Sequence, residues 1–382
     1  MIGVEGKMKF VLASDSFKES MTSIEACSTM ERAIKKVLKD AEVIKVPMAD
    51  GGEGTVEALV NATGGEFIET EVLNPLGIKI KASYGILGDK KTAVIEMAKA
   101  SGIELIKRQE RNPLITTTYG TGELIKHAIE NGIKHFVIGI GGSATNDGGC
   151  GMLQALGVKL LDKDDNEIPF GGGYLDKIEK IDMSHIHTGI KDVTFEVACD
   201  VTNPFIGPTG ASYVFGPQKG ADSEMVEFLD NNLKHFAQKI NKYVNIDISE
   251  VPGAGAAGGL GGALLAFLNA ELKSGIELVI KYTGLEEKVQ DADYVFTGEG
   301  AIDGQTIFGK TPVGVSKAAK KYNVPVIAFG GKVSDDADNL FEEGIIALFS
   351  IMRGIESLDD ALKNGSHNLE KTVENVVRTL RG

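Results

Sequence analysis

The sequence predicts an α/β protein in which a doubly wound parallel sheet is combined with a second, mixed sheet. Strand and helix patterns alternate over residues 8–61, which is the rhythm of parallel strands joined by crossover helices. Short strands with turn signals replace this rhythm near residues 65–111 and again near 158–252, and the β–α alternation resumes after each. We therefore expect a parallel-sheet domain that is interrupted by segments of a second domain.

The individual elements have recognisable boundaries. Met8–Ala13 is a predicted strand, and the capping-box pattern of Thr22 and Glu25 begins a helix with one apolar face. A second strand follows at 42–46, and the helix after it ends at about residue 61. Much later, Pro312 stands at the first position of a predicted helix, where proline is favoured.

Glycines and polar side chains follow the predicted parallel strands. In a doubly wound sheet the carboxyl ends of the strands share one edge, and ligands bind at that edge. We therefore expect an active site there. The strands followed by Gly, Asp, Glu, Ser or Lys end near Ala13, Val46, Gly139, Thr297 and Phe329.

The bulk properties exclude several classes of protein. With 382 residues the chain is long enough for two domains, or for one domain with a large insertion. Its net charge of −14 and the lack of a strongly basic segment argue against nucleic acid as a partner.

No apolar run is long enough to span a membrane, and the N-terminus does not resemble a signal peptide. The three cysteines show no C-x-x-C spacing, so we expect a cytoplasmic protein.

The glycine-rich stretch at residues 136–157 is the strongest local signal. A strand over Phe136–Ile140 leads into Gly141–Gly142 and then into hydroxyl, amide and carboxylate side chains that end at Asp147. Such a loop suits an anion because glycines allow close approach and the following helix adds partial positive charge. Since a carboxylate beside a phosphate needs a cation, one interpretation is a phosphate-plus-metal loop. The other is a tight strand–helix turn with Asn146 or Asp147 as the cap.

Two further glycine patterns match the letters of known motifs but not their expected structural context. Gly304–Thr311 fits the P-loop expression G-x-x-x-x-G-K-T, but Glu299–Asp303 separates it from its strand. Lys310 still precedes a helix and can neutralise a phosphate. Gly253–Gly258 fits the dinucleotide fingerprint but follows Pro252 rather than a clear strand. A nicotinamide site and the close packing of a glycine-rich helix start both remain open there.

Carboxylates at strand ends and in glycine loops give a sharper indication of chemistry. Together they indicate a magnesium and acid–base site, because hard carboxylate oxygens bind Mg²⁺ and can accept protons. Histidine is absent from these loops, so we do not expect a histidine base. The carboxylates in such positions are Asp15, Asp50, Glu53, Asp147, Asp200, Glu299 and Asp303.

Taken together, these motifs resemble the bacterial class I glycerate kinase family, in particular its D-glycerate 2-kinases. The resemblance runs from about Met8 to the C-terminus, and the motifs that carry it occur in the order of the family. They are Asp15–Ser20, Pro47–Thr55, Thr116–Leu124, Gly141–Gly149, Ala198–Pro204, Phe215–Ala221, Pro252–Gly259 and Thr297–Gln305.

The resemblance implies a flavodoxin-like parallel-sheet domain, an inserted mixed-sheet domain and an active site in the cleft between them. We assign residues 8–65, 112–157 and 253–382 to the flavodoxin-like domain, and 66–111 and 158–252 to the insertion. This fold is not that of P-loop proteins, so the match at Gly304–Thr311 is expected to be a look-alike.

The resemblance also implies ATP-dependent phosphorylation of D-glycerate to 2-phosphoglycerate, with ATP and Mg²⁺ bound. The predicted catalytic residues are Asp200, as the base for the 2-hydroxyl, with Lys18 and Asp303. Substrate binding is assigned to Asp15, Asp50, Asn203, Lys219 and Lys310. Nucleotide binding is assigned to Gly141, Gly142, Ser143, Thr145, Asn146, Gly255 and Gly258. Asp147 and Glu299 are the predicted metal ligands, with Asp303 as a further candidate.

Other functions stay open at this stage. Phosphorylation at the 3-hydroxyl would give 3-phosphoglycerate, and sequence does not distinguish the two hydroxyls. A nicotinamide-dependent hydroxy-acid oxidoreductase would rest on Gly253–Gly258 alone, and a non-catalytic nucleotide-binding regulator would keep the glycine loops. A monomer and a homodimer are equally compatible with the sequence.

Overall fold

The computed structural model of the protein describes residues 7–307 and 309–381. The strands in chain order are β1 Lys9–Leu12, β2 Glu42–Lys45, β3 Glu66–Leu73, β4 Lys79–Ile86, β5 Thr92–Glu96, β6 His135–Gly139, β7 Lys159–Leu161, β8 Lys180–Asp182, β9 Thr194–Ala198, β10 Glu271–Lys273, β11 Tyr294–Ile302, β12 Val326–Val333 and β13 Ile345–Ser350. The α-helices are α1 Ser23–Val37, α2 Thr55–Thr63, α3 Ala98–Ser101, α4 Tyr119–Glu130, α5 Cys150–Ala155, α6 Ala211–Phe215, α7 Ser223–Val244, α8 Leu260–Leu268, α9 Gly275–Thr283, α10 Leu285–Val289, α11 Thr311–Lys320 and α12 Leu358–Leu380.

These elements form two compact units. The first comprises the described parts of Met1–Asp50, Glu57–Gly64 and Ile276–Gly382, and the second comprises Gly51–Val56 and Gly65–Gly275. Within the described ranges, no helix is both long and apolar enough to cross a membrane.

The first unit is built on a five-stranded parallel sheet in the order β13-β12-β11-β1-β2. Counted along this unit alone, the order is 2-1-3-4-5, which is the flavodoxin-like arrangement. Aromatic side chains from three adjacent strands pack in its core, with Phe296 in contact with both Phe10 and Phe329. Apolar residues of α1 and α12 cover them. The expected flavodoxin-like domain is therefore confirmed.

Two helix starts in the first unit agree with the sequence prediction. Thr22 is the N-cap of α1, and its hydroxyl accepts a hydrogen bond from the Glu25 amide while the Glu25 carboxylate accepts one from the Thr22 amide. Pro312 lies in the first turn of α11. The start of a helix leaves backbone N–H groups unpaired. The capping box gives them hydrogen-bond acceptors, and proline has no N–H that would need one.

The second unit is built on a six-stranded mixed sheet in the order β10-β9-β6-β5-β4-β3. Strands β3, β4 and β5 are antiparallel, and β5, β6, β9 and β10 are parallel. A single core joins this sheet to helices α4, α5, α7 and α8. Strands β7 and β8 form a separate antiparallel pair.

The predicted domain boundaries are wrong at residues 51–56 and 65 and at two longer segments. Those two segments, residues 112–157 and 253–275, were assigned to the flavodoxin-like domain, but they belong to the second unit. The reason is that β6 pairs with β5 and β9, and β10 pairs with β9, so both strands extend the mixed sheet. The helices that follow β6 and precede β10 then pack in the core of that unit.

Candidate active-site elements in the two units

The point in the first unit where the strand order reverses lies between β1 and β11, and it is lined by acidic residues. Asp15 follows β1, and its amide donates a 2.9 Å hydrogen bond to the Gly298 carbonyl on β11. Glu299 comes next on β11, beyond the last residue of that strand that is paired with β1. Ligands of flavodoxin-like folds bind at this reversal, outside the carboxyl ends of the strands.

Asp15 is held in place by two short hydrogen bonds. Its Oδ1 accepts from the Ser16 amide at 2.6 Å, and its Oδ2 accepts from the Thr311 hydroxyl at 2.6 Å. Burial raises the pKa of Asp15 to about 6; the bond from Thr311 opposes this rise, and the negative charge of Asp50 adds to it. The sequence-predicted carboxylates Asp15 and Asp50 are thus electrostatically coupled in this unit.

Glu299 also has a pKa that is raised towards neutral pH. Burial raises its pKa to about 7, against the opposing effects of Lys310 and Thr306, and Asp15 and Asp50 raise it further. The Thr306 hydroxyl donates a 2.9 Å bond to Glu299 Oε1. The pKa values of both carboxyls are therefore raised by burial and, to a smaller extent, by the negative charge of their acidic neighbours. A bound cation would lower both pKa values.

Lys310 lies close to two carboxylates. Its Nζ is 3.8 Å from Glu299 Oε1 and 3.7 Å from Asp303 Oδ1. Lys18, on the loop after β1, is exposed. The residues at Gly304–Thr311 that match the P-loop expression include Phe308, which lies outside the described residues, and Thr311 of this segment is engaged with Asp15.

The carboxylates of Asp15 and Glu299 suit Mg²⁺ that binds together with a phosphate ligand. Among the side chains at residues 7–307 and 309–381, no group of three or more His, Cys, Asp or Glu is gathered closely enough to hold a metal by itself. Mg²⁺ usually takes one or two carboxylates and completes its shell with phosphate oxygens and water. Asp15 and Glu299 are carboxylates of that kind.

In the second unit, Asp147 has a different position from the one predicted for a metal ligand. It is fully buried and accepts four hydrogen bonds, from the Thr118 amide and hydroxyl and from the amides of Gly149 and Gly151. Burial raises its pKa, and these donors oppose the rise. Because Asp147 is fully buried and its oxygens are taken by donors at the starts of α4 and α5, we correct its role to a structural anchor. The interpretation of this loop as a capped turn is the better one for Asp147.

Lys219 is likewise not a solvent-accessible cation. Only 1% of the residue is exposed, and its Nζ donates to Ser143 Oγ at 2.8 Å and to the Thr145 carbonyl at 2.6 Å. Burial lowers the pKa of Lys219 to about 7, and the negative charge of Asp147 opposes this shift. The predicted direct contact with substrate is replaced by contacts with the glycine-rich loop itself.

The side chains of Thr145 and Asn146 point into the protein as well. Both residues are fully buried, and the Asn146 amide nitrogen donates to Ser212 Oγ at 2.9 Å. Gly141 and Gly142 are exposed, whereas Ser143 is nearly buried. The part of the predicted nucleotide loop that can meet a ligand is therefore its first two glycines.

Gly255 and Gly258 pack against other backbone segments. A Cβ at Gly255 would lie 2.1 Å from the Pro204 carbonyl oxygen, and one at Gly258 would lie 2.0 Å from the Thr145 carbonyl oxygen. Gly258 also has a φ of +68°, which side chains rarely adopt. Of the two alternatives for this segment, close packing of a helix start accounts for both glycines, and their assignment to nucleotide binding stays a prediction.

The four parallel strands of the second unit end in a row of polar groups. Gly139 and Ala198 are paired residues of β6 and β9, so Gly141 and Asp200 each stand two positions beyond a paired residue on adjacent strands. Adjacent strands are about 4.8 Å apart. Asp200 is exposed, and its Oδ1 accepts 3.0 Å bonds from Ser274 Oγ and the Gly275 amide.

Two residues of this edge were missed by sequence reasoning. Ser274 follows β10, a strand too short to be recognised. Glu96 ends β5 and accepts a 3.0 Å bond from the Val56 amide; burial raises its pKa. Its strand-end position was a usable signal, but it lies in the segment of short strands with turn signals, where no parallel strand was predicted. Asn203, a predicted substrate contact, donates a 2.8 Å bond to the Thr209 carbonyl.

Comparison with known proteins agrees with this description. A sequence profile described as the Glycerate kinase family matches residues 10–381. Glycerate 2-kinase of Escherichia coli (strain K12) is 52% identical over 98% of this chain and 98% of that protein. Glycerate kinase of Haemophilus influenzae is 53% identical over 98% and 99%. A crystal structure described as that of a glycerate kinase 2 from Salmonella typhimurium LT2 is 49% identical, covers 98% and 99%, and has a TM-score of 0.91.

The fold, the polar strand ends and these similarities define an enzyme of the kinase class that phosphorylates an alcohol group. The chain belongs to the glycerate kinase family. Membership of a kinase family implies ATP as the co-substrate.

Proposed function

We propose that this enzyme transfers the γ-phosphoryl group of ATP to the 2-hydroxyl of D-glycerate and gives 2-phosphoglycerate and ADP. The observation that carries the proposal is the pairing of Gly139 with Ala198, since Asp200 and the exposed Gly141 each lie two positions beyond this pair on adjacent strands. The name of the Escherichia coli relative, glycerate 2-kinase, supports the choice of hydroxyl.

In this proposal Asp200 is the general base. The O–H bond of the 2-hydroxyl breaks and its proton passes to Asp200 as the oxygen forms a bond to the γ-phosphorus. The bond from that phosphorus to the β,γ-bridging oxygen breaks, and ADP leaves. The donors Ser274 Oγ and Gly275 N hold the carboxylate in one orientation. Such a base contributes about 10²- to 10⁴-fold in rate.

Amides and cations would carry the remaining work, because phosphoryl transfer depends on positioning and charge neutralisation. The N–H groups at Gly141 and Gly142 would bind phosphate oxygens without a side chain in the way. In the first unit, Lys18 and Lys310 would neutralise phosphate or carboxylate charge, with Asp303 orienting Lys310.

Glu299 and Asp15 would hold the Mg²⁺ that accompanies ATP. Their raised pKa values support this role, since burial and the neighbouring negative charges raise both pKa values despite Lys310 near Glu299. When bound, Mg²⁺ neutralises charge on the phosphate oxygens.

The test is the ³¹P NMR spectrum of the product formed from D-glycerate and Mg-ATP. Phosphorus on the 2-oxygen couples to the single proton at C2 and gives a doublet, whereas phosphorus on the 3-oxygen couples to both C3 protons and gives a triplet. We expect a doublet together with ADP. A triplet would overturn the assignment of the hydroxyl, and ADP with free phosphate and no ester would overturn the proposal as a whole. A reaction without glycerate is the control.

A further inference from the structure

The environment of Lys219 sets it apart from an ordinary surface lysine. Burying an amine is costly unless it is hydrogen-bonded, and both partners of Lys219 are neutral: the Ser143 hydroxyl and the Thr145 carbonyl. In the part of the chain that the structure describes, its Nζ makes no ion pair within 4.0 Å. Both partners belong to the loop that begins with the exposed Gly141 and Gly142.

We propose that Lys219 is a positioning residue for phosphate binding, which fixes the Gly141–Thr145 loop from inside and takes up a proton when an anion binds to the loop. This inference rests on the proposed function, because it assumes that nucleotide phosphates bind at the Gly141 and Gly142 amides. Lys219 itself does not touch the nucleotide.

The cluster around Lys219 has spare acceptors for an added proton. A neutral amine has two N–H donors, which matches the two bonds observed, and an ammonium has three. Thr145 Oγ1 and Asn146 Oδ1 are buried oxygens of the same loop that have no partner among the described residues. In this proposal one of these oxygens accepts the third N–H after a small shift of the loop that the lysine already holds.

The charges around Lys219 allow its protonation to respond to a ligand. Asp147 favours the charged form, while burial lowers the pKa to about 7. The Arg111 guanidinium donates to the Gln218 carbonyl next to Lys219, and the titratable side chain on α6, Tyr213, is exposed. A phosphate bound at the loop adds negative charge, which raises the pKa of a nearby amine. Protons are therefore taken up on binding above pH 7, where the free enzyme holds Lys219 mostly neutral.

The test is calorimetry of Mg-ADP binding to the full chain between pH 7 and 8.5, in buffers of different ionisation enthalpy. For the wild type we expect uptake of about half a proton per ADP near pH 8. Lys219→Met should lose this uptake and weaken binding by about tenfold or more, and Lys219→Arg, which is always charged, should bind without uptake. Lys239→Met is the matched control, since Lys239 is a largely buried lysine of the same unit that pairs with Glu179.

The outcomes separate the two proposals. Wild-type binding without proton uptake, or uptake that persists in Lys219→Met, overturns the role of Lys219 and leaves the proposed function standing. Failure of the wild type to bind Mg-ADP overturns both. If Lys219→Met does not fold, the comparison of the wild type with Lys219→Arg decides: equal proton uptake in the two proteins overturns the role.

Discussion

Replacement of Asp147 by asparagine separates a structural anchor from a metal ligand. Asp147 Oδ2 accepts bonds from the Thr118 amide, the Thr118 hydroxyl and the Gly151 amide, and Oδ1 accepts one from the Gly149 amide. Asparagine has one oxygen, so it can keep the three donors on one side. Its NH₂ group then faces the Gly149 N–H, and two donors are opposed inside the protein.

The expected loss of stability follows from the one N–H group, that of Gly149, which loses its acceptor. One buried donor left unpaired costs about 1–3 kcal/mol, and the remaining bonds lose the strength that a charged acceptor gives them. Part of this loss is offset because the neutral amide is easier to bury than a carboxylate. We therefore expect Asp147→Asn to lose about 2–3 kcal/mol of unfolding free energy, or roughly 4–12 °C in the melting temperature of a unit of this size.

The assay is thermal and urea unfolding followed by circular dichroism, in the presence and absence of Mg²⁺. Asp164→Asn, at an exposed position of the same unit, is the control and should change stability by less than about 0.5 kcal/mol. If Asp147→Asn has wild-type stability but needs much more Mg²⁺ for activity, Asp147 is a metal ligand after all and the structural account of this loop is wrong.

Two further substitutions test the roles of other residues. Glu299→Gln should stabilise the Mg²⁺-free protein at pH 8 by about 1–3 kcal/mol and have little effect at pH 4.5, because a carboxyl with a raised pKa destabilises the fold only where it is ionised; equal unfolding curves of the two proteins at pH 8 would refute this. Gly258→Ala should destabilise by about 2–4 kcal/mol, since the new Cβ meets the Thr145 carbonyl at a positive φ. Gly207→Ala, also at positive φ but with open space around it, should cost only about 1 kcal/mol, and a Gly258→Ala protein that unfolds like Gly207→Ala would argue against close packing.

Local signals in the sequence were sufficient for much of the fold. The capping box at Thr22 and Glu25 and the strand predicted over Phe136–Ile140 depend on neighbouring residues. The capping box is present, and the strand is present over His135–Gly139. The domain boundaries failed because an apolar, β-branched strand such as β6 fits either sheet. Its partners β5 and β9 are chosen by long-range packing, which no local pattern records.

The same contrast between local signals and long-range packing applies to the site residues. Residue types at strand ends pointed correctly to Asp15, Asp200 and Glu299 as polar groups at carboxyl edges. The sequence could not tell an exposed ligand from a buried anchor, because Asp147 and Lys219 are the right residue types in the right motifs. The buried Lys219 donates a hydrogen bond to Ser143, which is 76 residues away in the chain.

The most direct test of the proposed chemistry is the turnover of Asp200→Asn measured beside its affinity for Mg-ATP. The asparagine oxygen can still accept the bonds from Ser274 and Gly275, so the edge of the sheet should keep its shape, as circular dichroism can verify. We expect kcat to fall by at least about 100-fold while the dissociation constant for Mg-ATP stays within about threefold. Asp192→Asn, on the surface of the same unit, should leave both unchanged. A kcat for Asp200→Asn within about threefold of the wild-type value would contradict the assignment of Asp200 as the base.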